Sequence, residues 1–304
     1  MKPTIGIVGG CGPFATVDIE YKILNATKRL LSPLLDQHYF NMLVFNYTQF
    51  FDRNDAITIN NSTLLDQFLQ CARRLESIGI DLLLVACQTA HVYVPDLKAA
   101  IDLPIVDIVE ETVGHIVKNF PGISKVGLLS TKATHNKQLY QDALASYNIE
   151  VVSTPIEVQS KIMEAIYIIK TGASLVKGKK LLNNSQYCTD NQIKYSQIKN
   201  HPYRRVLLEK FLPNPIATIQ EAIYYLVDND CKHVILGCTE LPLILPHINI
   251  KKIGINLIDP NTIVAESAVT LANKLEQEKM TSIISSINDT NEINDKKALK
   301  LCVG

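Results

Sequence analysis

The chain has 304 residues, of which 47% are apolar, so it is long enough for one large or two medium α/β units with a sizeable core. Its 30 Lys and Arg residues balance its 30 Asp and Glu residues, which leaves no basic field for nucleic acid or for a membrane surface. The sequence lacks an apolar run of the roughly 20 residues that a membrane span needs, its N-terminus is unlike a signal peptide, and its seven Cys are therefore expected to be free thiols of a cytoplasmic protein.

The first predicted strand, residues 4–8, runs into a glycine turn at residues 9–13, after which a helix is predicted. The backbone N–H groups around Gly10 can bind an anion at the helix N-terminus. The acidic residue that completes a dinucleotide fingerprint is missing, so a substrate carboxylate is the preferred ligand. Cys11 lies in the same turn. The helix dipole could lower the pKa of its thiol, but a small residue that fills a tight turn is the favoured interpretation.

The second predicted strand, residues 42–45, leads into a loop that contains Arg53. A guanidinium group can bind a carboxylate through two parallel hydrogen bonds, so Arg53 is a possible carboxylate clamp. A solvated surface arginine is the simpler interpretation. A helix is predicted to start at Asn61 or Ser62 and to end at Gly79, because apolar residues recur there at helical spacing.

The third predicted strand, residues 82–86, is an apolar run that is typical of a buried parallel strand. Cys87, Gln88 and Thr89 follow it, and ligands of open α/β sheets bind at the carboxyl ends of the strands. The sequence thus predicts a thiol, an amide and a hydroxyl beside a substrate. His91 could share a helical face with Cys87 and tune its thiol, and a capping or packing role is an equal alternative.

The second half of the chain repeats this pattern. Thr131 and Thr134 follow a predicted strand at the position of the first glycine turn, and Lys170 ends a predicted helix, where it suits the helix dipole. A second apolar strand then runs into Cys238 and Thr239. Further strands are predicted at residues 105–109, 125–130, 150–153 and 253–258.

The chain therefore looks internally duplicated. The intervals Gly6 to Cys87 and Gly127 to Cys238 become similar in length once the polar segment 183–214 is removed. Two flavodoxin-like lobes facing each other would place a thiol on each wall of one cleft. A thiolate and a thiol on opposite faces of a carbon atom can racemise it, with their roles exchanged for the reverse direction. The spacing of His and Cys does not indicate a zinc site.

The sequence resembles the aspartate/glutamate racemase family of cofactor-independent amino-acid racemases, and within it most strongly the aspartate racemases. The resemblance extends over about residues 2–275. It is carried by IGIVGG-x-GP-x-AT at residues 5–16, DR-x-x-AI at 52–57, C-x-TAH at 87–91, IY-x-x-K-x-G at 166–172, GCTE at 237–240 and IDP at 258–260.

The resemblance implies an α/β fold of two pseudo-symmetric lobes, each a parallel sheet flanked by helices, with the active site between them. The first lobe is expected at residues 1–110 plus 257–278 and the second at 111–256, with an insertion at 183–214 and a mobile tail at 279–304. The family also implies a homodimer that acts on a small amino acid without a cofactor, a metal, nucleic acid or a membrane.

The resemblance further implies which residues form the site. Cys87 and Cys238 become the expected acid/base pair, and Arg53 and Lys170 the expected binders of a substrate carboxylate. The other expected substrate contacts are Gly10, Tyr47, Gln88, Thr89, Thr131, Thr239 and Glu240.

Two departures from the family pattern affect the expected substrate, which is aspartate before glutamate. Gln88 stands where the family usually has Asn, and Tyr47 replaces a small amide. Two alternatives therefore stay open. One is a related reaction on another acid, as in hydantoin racemases, maleate isomerases or decarboxylases, and the other is an amino-acid-binding protein that has lost turnover.

Overall fold

The computed structural model describes residues 2–170, 214–249 and 253–302, which contain two four-stranded parallel sheets flanked by helices. The strand order is β2-β1-β3-β4 in the first sheet and β6-β5-β7-β8 in the second, so the two sheets have the same arrangement. The strands are β1 (Thr4–Gly9), β2 (Asn41–Asn46), β3 (Leu82–Val85), β4 (Ile105–Val106), β5 (Lys125–Ser130), β6 (Glu150–Ser153), β7 (His233–Gly237) and β8 (Asn256–Ile258).

The helices alternate with the strands, as parallel sheets require. They are α1 (Pro13–Leu31), α2 (Arg53–Thr58), α3 (Ser62–Ile78), α4 (Val94–Ala100), α5 (Ile108–Asn119), α6 (Lys132–Asn136), α7 (Leu139–Ala145), α8 (Ile156–Lys170), α9 (Pro215–Asp228) and α10 (Pro260–Cys302). Short 3₁₀ helices are formed by Asp36–His38, Gln88–Tyr93 and Leu241–His247. None of the helices in the described ranges combines the length and the hydropathy that a membrane span needs.

The central strands β1 and β3 are apolar on both faces because helices cover the sheet on both sides. They pair in register, with Ile5 opposite Leu82 and Val8 opposite Val85, and all four of these side chains are buried. The equivalent strands β5 and β7 pair in the same way in the second sheet. The prediction of two lobes, each a parallel sheet flanked by helices, is confirmed.

Local capping explains where several elements begin and end. The Asn61 side chain accepts a hydrogen bond from Thr63 N at 2.9 Å and starts α3, and Gly79 ends α3 with a φ of +91°, which favours glycine. Asp107 accepts a hydrogen bond from Val109 N at 2.8 Å and starts α5. The strand predicted at residues 105–109 therefore ends at Val106.

Two parts of the predicted domain division can be compared with the elements of the structure. β8 pairs with β7, so residues 257 and 258 belong to the second sheet and not to the first lobe. Residues 279–302, predicted as a mobile tail, continue the last helix, α10. The proposed insertion at 183–214 lies outside the described residues, apart from Asn214, whose side chain caps α9 by accepting from Ile216 N at 3.0 Å.

The last helix returns from the second sheet to the first. It packs against α1 and α5, and Ser267 Oγ donates a hydrogen bond to Glu111 Oε2 at 2.6 Å. Its buried face (Ile263, Val264, Ala265, Ala268, Val269 and Ala272) belongs to the same core cluster as residues of β1, β3, β5 and β7. One hydrophobic core thus extends across both sheets.

Candidate active site

The two cysteines of the repeated motif occupy corresponding places. Cys87 follows β3 and Cys238 follows β7, each on the strand that pairs with the first strand of its sheet. Both side chains are buried. The carboxyl ends of central parallel strands are where α/β proteins bind ligands, so both thiols lie where chemistry is expected.

The Cys87 thiol has a third cysteine as a neighbour. Cys11, in the glycine turn after β1, lies in the same buried core cluster as Cys87, and the interaction between the two thiols affects the pKa of both. The carbonyl oxygen of Cys11 accepts hydrogen bonds from Arg53 Nη2 and from Lys170 Nζ, the latter at 3.2 Å. The interpretation of Cys11 as a small residue filling a turn missed these contacts. The glycine turn therefore contacts the Cys87 thiol and both cations, Arg53 and Lys170.

These contacts shift the pKa values of Cys87 and Cys11 in opposite directions. The hydrogen bond from Cys11, together with the charges of Arg53 and Lys170, outweighs burial and lowers the pKa of Cys87 to about 6. Burial and the contact with Cys87 raise the pKa of Cys11 well above its ordinary value. The suggestion that the helix dipole lowers the pKa of Cys11 is therefore wrong, and the thiolate of this pair resides on Cys87.

The second thiol has an acidic environment. Cys238 Sγ donates a hydrogen bond to Glu240 Oε2 at 2.9 Å, and Thr239 Oγ1 donates to the same oxygen at 3.2 Å. Burial and the negative charge of Glu240 raise the pKa of Cys238 well above its ordinary value. Cys238 is therefore a protonated thiol under conditions in which Cys87 is ionised.

Glu240 also reaches the first lobe. Its Oε1 atom is buried, makes no hydrogen bond within the described residues and lies 3.6 Å from Lys170 Nζ. A Cβ atom at Gly12 would come within 2.0 Å of the same oxygen. A larger residue at position 12 would have to displace this carboxylate, because the backbone of the turn passes directly beside it.

Arg53 is buried and is not a solvated surface residue, so the simpler interpretation of this arginine was wrong. It is the first residue of α2, whose N-terminus is capped by Asp52 through a hydrogen bond from Asn54 N at 2.9 Å. Burial alone would lower the pKa of Arg53, but the nearby Cys11, Cys87 and Asp52 raise it. The guanidinium group therefore keeps its charge inside the protein.

Three threonine hydroxyls connect the lobes beside the thiols. Thr89 Oγ1 lies 2.9 Å from Thr131 Oγ1, Thr131 Oγ1 donates to Thr134 Oγ1 at 2.9 Å, and Thr134 Oγ1 donates to Thr89 Oγ1 at 3.1 Å. All three side chains are buried. Hydroxyls that pair with one another in this way can turn to donate to an anion instead.

The Gln88 amide is occupied at both ends by residues of the second lobe. Its Nε2 donates to the carbonyl of Leu236 at 2.9 Å, and its Oε1 accepts from Tyr140 Oη at 2.6 Å. These bonds favour a role in joining the lobes over the predicted contact with substrate. His91 is also held by backbone groups, because its Nε2 accepts from Ile108 N at 3.1 Å and its Nδ1 then donates to the Cys87 carbonyl at 2.8 Å.

Tyr47 contributes its backbone to the site. Its ring packs against Phe45 and Phe50, with centroid distances of 5.7 and 4.9 Å. A Cβ atom at Gly10, which has a φ of +94°, would lie 2.2 Å from the Tyr47 carbonyl oxygen. Tyr47 thus fixes the glycine turn through its main chain, and the predicted effect of its ring on the substrate has no support from these contacts.

No group of three or more His, Cys, Asp or Glu side chains suited to a metal ion occurs in the described part of the chain. The sequence profile of the Asp/Glu/hydantoin racemase family matches residues 8–195. The chain belongs to this family. The resemblance seen in the motifs is therefore confirmed.

Relatives within the racemase family include proteins with different substrates in their names. The broad specificity amino-acid racemase RacX of Bacillus subtilis is 30% identical over 151 residues, which are 49% of this chain and 63% of that protein. The glutamate racemase of Aquifex aeolicus is 32% identical over 95 residues, which are 31% of this chain and 37% of that protein. The matches thus span less than two thirds of the length of these curated relatives.

The structural similarity to a solved racemase covers more of the chain than these sequence matches do. The structure of the Picrophilus torridus aspartate racemase superposes with a TM-score of 0.66 at 25% identity, over 89% of this chain and 94% of that one. This structure also has the racemase fold of two parallel sheets flanked by helices.

Proposed function

We propose that the protein is a racemase that interconverts the enantiomers of an acidic amino acid, aspartate before glutamate, by proton transfer at Cα between Cys87 and Cys238. The observation that carries this proposal is the pair of buried thiols at corresponding strand ends, with the pKa of Cys87 lowered to about 6 and the pKa of Cys238 raised. Racemisation needs such an acid and base in one site.

The proposed reaction starts with the Cys87 thiolate. It takes the Cα proton of the substrate and becomes a thiol, and the electron pair of the broken C–H bond is left on the substrate as a carbanion. Cys238 then gives its proton to the opposite face and becomes a thiolate, so that one proton is taken and one is returned. The hydrogen bond between Cys238 and Glu240 orients that proton before transfer.

The proposed substrate contacts follow from the charges around the turn. Within the described residues, the guanidinium group of Arg53 donates to the carbonyl oxygens of Phe51 and Cys11. Lys170 Nζ donates to the Cys11 carbonyl at 3.2 Å and lies 3.6 Å from Glu240 Oε1. Each can also pair with a substrate carboxylate. Glu240 Oε1, buried without a hydrogen bond among the described residues, suits the substrate ammonium group.

The remaining features of the proposal come from the family. The aspartate racemase of Picrophilus torridus supports aspartate as the first candidate substrate, and the glutamate racemases among the relatives support glutamate as the second. We also propose that the enzyme works in the cytoplasm as a homodimer and without a cofactor.

The test is exchange of the α-proton in deuterated water. Each enantiomer of aspartate, glutamate, alanine and serine is incubated with the protein, and loss of the α-proton signal is followed together with chiral chromatography. We expect exchange and inversion of the acidic amino acids at rates far above those of alanine and serine, because neutral substrates lack the second carboxylate that the two cations can bind. An amino-acid-binding protein would exchange none of them.

A variant of Lys170 tests the substrate assignment. Lys170→Gln removes one cation at the turn, and we expect kcat/KM for the acidic substrate to fall by about tenfold or more, equivalent to about 1.4 kcal/mol. Lys161→Gln, at an exposed position on the same helix, is the matched control and should retain full activity. Equal rates on alanine and aspartate in the unmodified enzyme would contradict the carboxylate assignment.

A further inference from the structure

A third buried thiol stands beside the proposed catalytic base. Cys11 and Cys87 come from turns after β1 and β3, which are adjacent strands of the first sheet, and both side chains are buried. Both side chains belong to the same buried core cluster, and the interaction between the two thiols affects the pKa of both. Two buried thiols in contact can share one negative charge, with the S–H group of one donating to the sulfur of the other.

We infer that Cys11 is a positioning residue for Cys87, whose S–H group donates to the Cys87 sulfur and holds it as a thiolate ready to accept the substrate proton. This inference rests on the proposed function of Cys87 as a base. The role of Cys11 would be exercised through Cys87, because Cys11 itself stays protonated.

The main chain of Cys11 supports the same role. Its carbonyl oxygen accepts from Arg53 Nη2 and from Lys170 Nζ, so both cations are held next to the thiol pair by the residue that also donates to the thiolate. Glu240 is the acidic group that faces Cys87 and opposes its ionisation. Ionisation of Cys87 is therefore favoured by two cations and one neutral hydrogen-bond donor. It is opposed by one carboxylate and by burial.

The electrostatic effect of this donor has a clear direction. A hydrogen bond to the charged form of an acid lowers its pKa, and the bond from Cys11 is the largest cause of the low pKa of Cys87, about 6. We therefore expect removal of the Cys11 side chain to raise the pKa of Cys87. The two cations, Arg53 and Lys170, remain and continue to lower this pKa.

Four variants separate the hydrogen bond from other effects of the mutation. Cys11→Ala and Cys11→Val remove the donor, with alanine smaller and valine larger than the thiol side chain, and Cys11→Ser keeps a donor. Cys71→Ala is the matched control, because Cys71 is also a buried thiol of the first lobe but packs in α3. Circular dichroism and thermal unfolding show which variants are folded, and either alanine or valine suffices for the comparison with serine.

The first measurement does not depend on turnover. Each reduced protein is treated with iodoacetamide between about pH 5 and about pH 10, and the rate of alkylation at Cys87 is obtained by mass spectrometry of the peptide that contains it. We expect a midpoint near pH 6 for the natural protein and for Cys71→Ala, and a midpoint at least about one pH unit higher for Cys11→Ala or Cys11→Val. Cys11→Ser should stay near the natural value.

The inference is overturned if the alanine or valine variant keeps the natural midpoint. It is also overturned if serine shifts the midpoint as far as alanine does, since the donor would then be irrelevant. A shift at Cys87 in a protein that racemises no amino acid would support the hydrogen bond from Cys11 to Cys87 and would contradict the proposed function, so the two failures are distinguishable.

The second measurement is the pH profile of racemisation. If Cys11 acts through the ionisation of Cys87, kcat/KM of Cys11→Ala at pH 7 should fall by about twofold for a rise of one unit in the pKa of Cys87 and by about tenfold for a rise of two units, and it should recover towards the natural value at alkaline pH. A purely structural role would lower kcat/KM by the same factor at every pH, and that result would overturn the inference.

Discussion

The Cys87 side and the Cys238 side of the proposed site have the same topology but different chemistry. Both thiols follow a central strand in sheets with identical strand order. Cys87 faces two cations and a third thiol, whereas Cys238 donates its hydrogen bond to the carboxylate of Glu240. The repeated fold fixes where the thiols lie, and the neighbours decide which of them carries the proton.

The difference begins at the turn that follows the first strand of each sheet. After β1 the chain forms the glycine turn with Cys11, but after β5 Thr131 caps a short helix by accepting a hydrogen bond from Thr134 N at 3.2 Å. Cys238 therefore has a carboxylate partner where Cys87 has a thiol partner. A duplicated fold can thus give two walls with complementary protonation states without any change in strand order.

Removing either thiol should break the two-sided arrangement completely. We expect Cys87→Ser and Cys238→Ser each to lower racemisation by about a thousandfold or more, because serine is a far weaker acid and a poorer base near neutral pH. The double variant should be little worse, since the two groups act as a unit. Chiral chromatography measures the turnover.

Calorimetry with the same variants keeps loss of chemistry separate from loss of folding. Substrate binding should persist in each single variant, because Arg53, Lys170 and the threonines are unchanged. Near-normal turnover in a verified Cys238→Ser protein would contradict the two-base mechanism.

Neutralising Glu240 should reduce the difference between the pKa values of Cys238 and Cys87. Glu240→Gln removes the charge that helps raise the pKa of Cys238, so this pKa should move down towards its ordinary value. We expect kcat/KM to fall by roughly a hundredfold at neutral pH, because the proton on Cys238 loses its charged acceptor and the substrate ammonium loses its ionic partner. Glu221→Gln, exposed on α9, is the control.

The diagnostic measurement for Glu240→Gln is the alkylation midpoint of Cys238. A midpoint that stays at its natural value would show that the carboxylate does not set the protonation of this thiol.

The unmodified enzyme should show the same asymmetry in its pH profile. Cys87 must be ionised and its pKa is lowered to about 6, so kcat/KM should fall as the pH decreases through this value, to about one tenth at pH 5. The alkaline limb should lie above the ordinary range of a thiol, because the pKa of Cys238 is raised. A rising limb between pH 8 and pH 9 would mean that Cys87 titrates as an ordinary thiol (about 8.5).

The smallest effect is expected where Gln88 joins the two walls. Tyr140→Phe removes the hydroxyl that donates to Gln88 Oε1 and leaves this buried oxygen without its partner, at a cost of about 1–3 kcal/mol in the free energy of unfolding. Activity should change by less than about tenfold, because both thiols and their neighbours remain. Urea unfolding measures the stability, and Tyr21→Phe, exposed on α1, is the control.

The arrangement of the sheets was predictable, because apolar runs such as residues 82–85 and 233–237 are typical of buried parallel strands. The end of β4 was not predictable from the sequence. It depends on whether the Asp107 side chain accepts hydrogen bonds from the backbone N–H groups that follow, which starts α5, or whether Asp107 extends the strand. Local propensity does not decide between two such alternatives when both place the same apolar residues in the core.

The contact between Cys11 and Cys87 had a partial signal in the sequence, because both residues follow apolar runs typical of parallel strands. The strands predicted at residues 4–8 and 82–86 place Cys11 three positions and Cys87 one position beyond the strand ends, whereas both lie two positions beyond β1 and β3 in the structure. The pair therefore depends on strand ends and strand order that the sequence alone does not fix. The burial of Arg53 had no comparable signal, because it depends on the short helix α2 and on the distant Lys170 and Glu240 around the same turn.

The return of α10 to the first sheet has a consequence for synthesis on the ribosome. The apolar faces of β1 and β3 share a core with α10 residues near Val264 and Val269, which are translated after all the strands. Because domains fold as their chain emerges, the first half must wait with part of its apolar surface uncovered until the last helix leaves the exit tunnel. A nascent chain stalled before Pro260 should therefore recruit chaperones, and release of the full α10 segment should end that dependence.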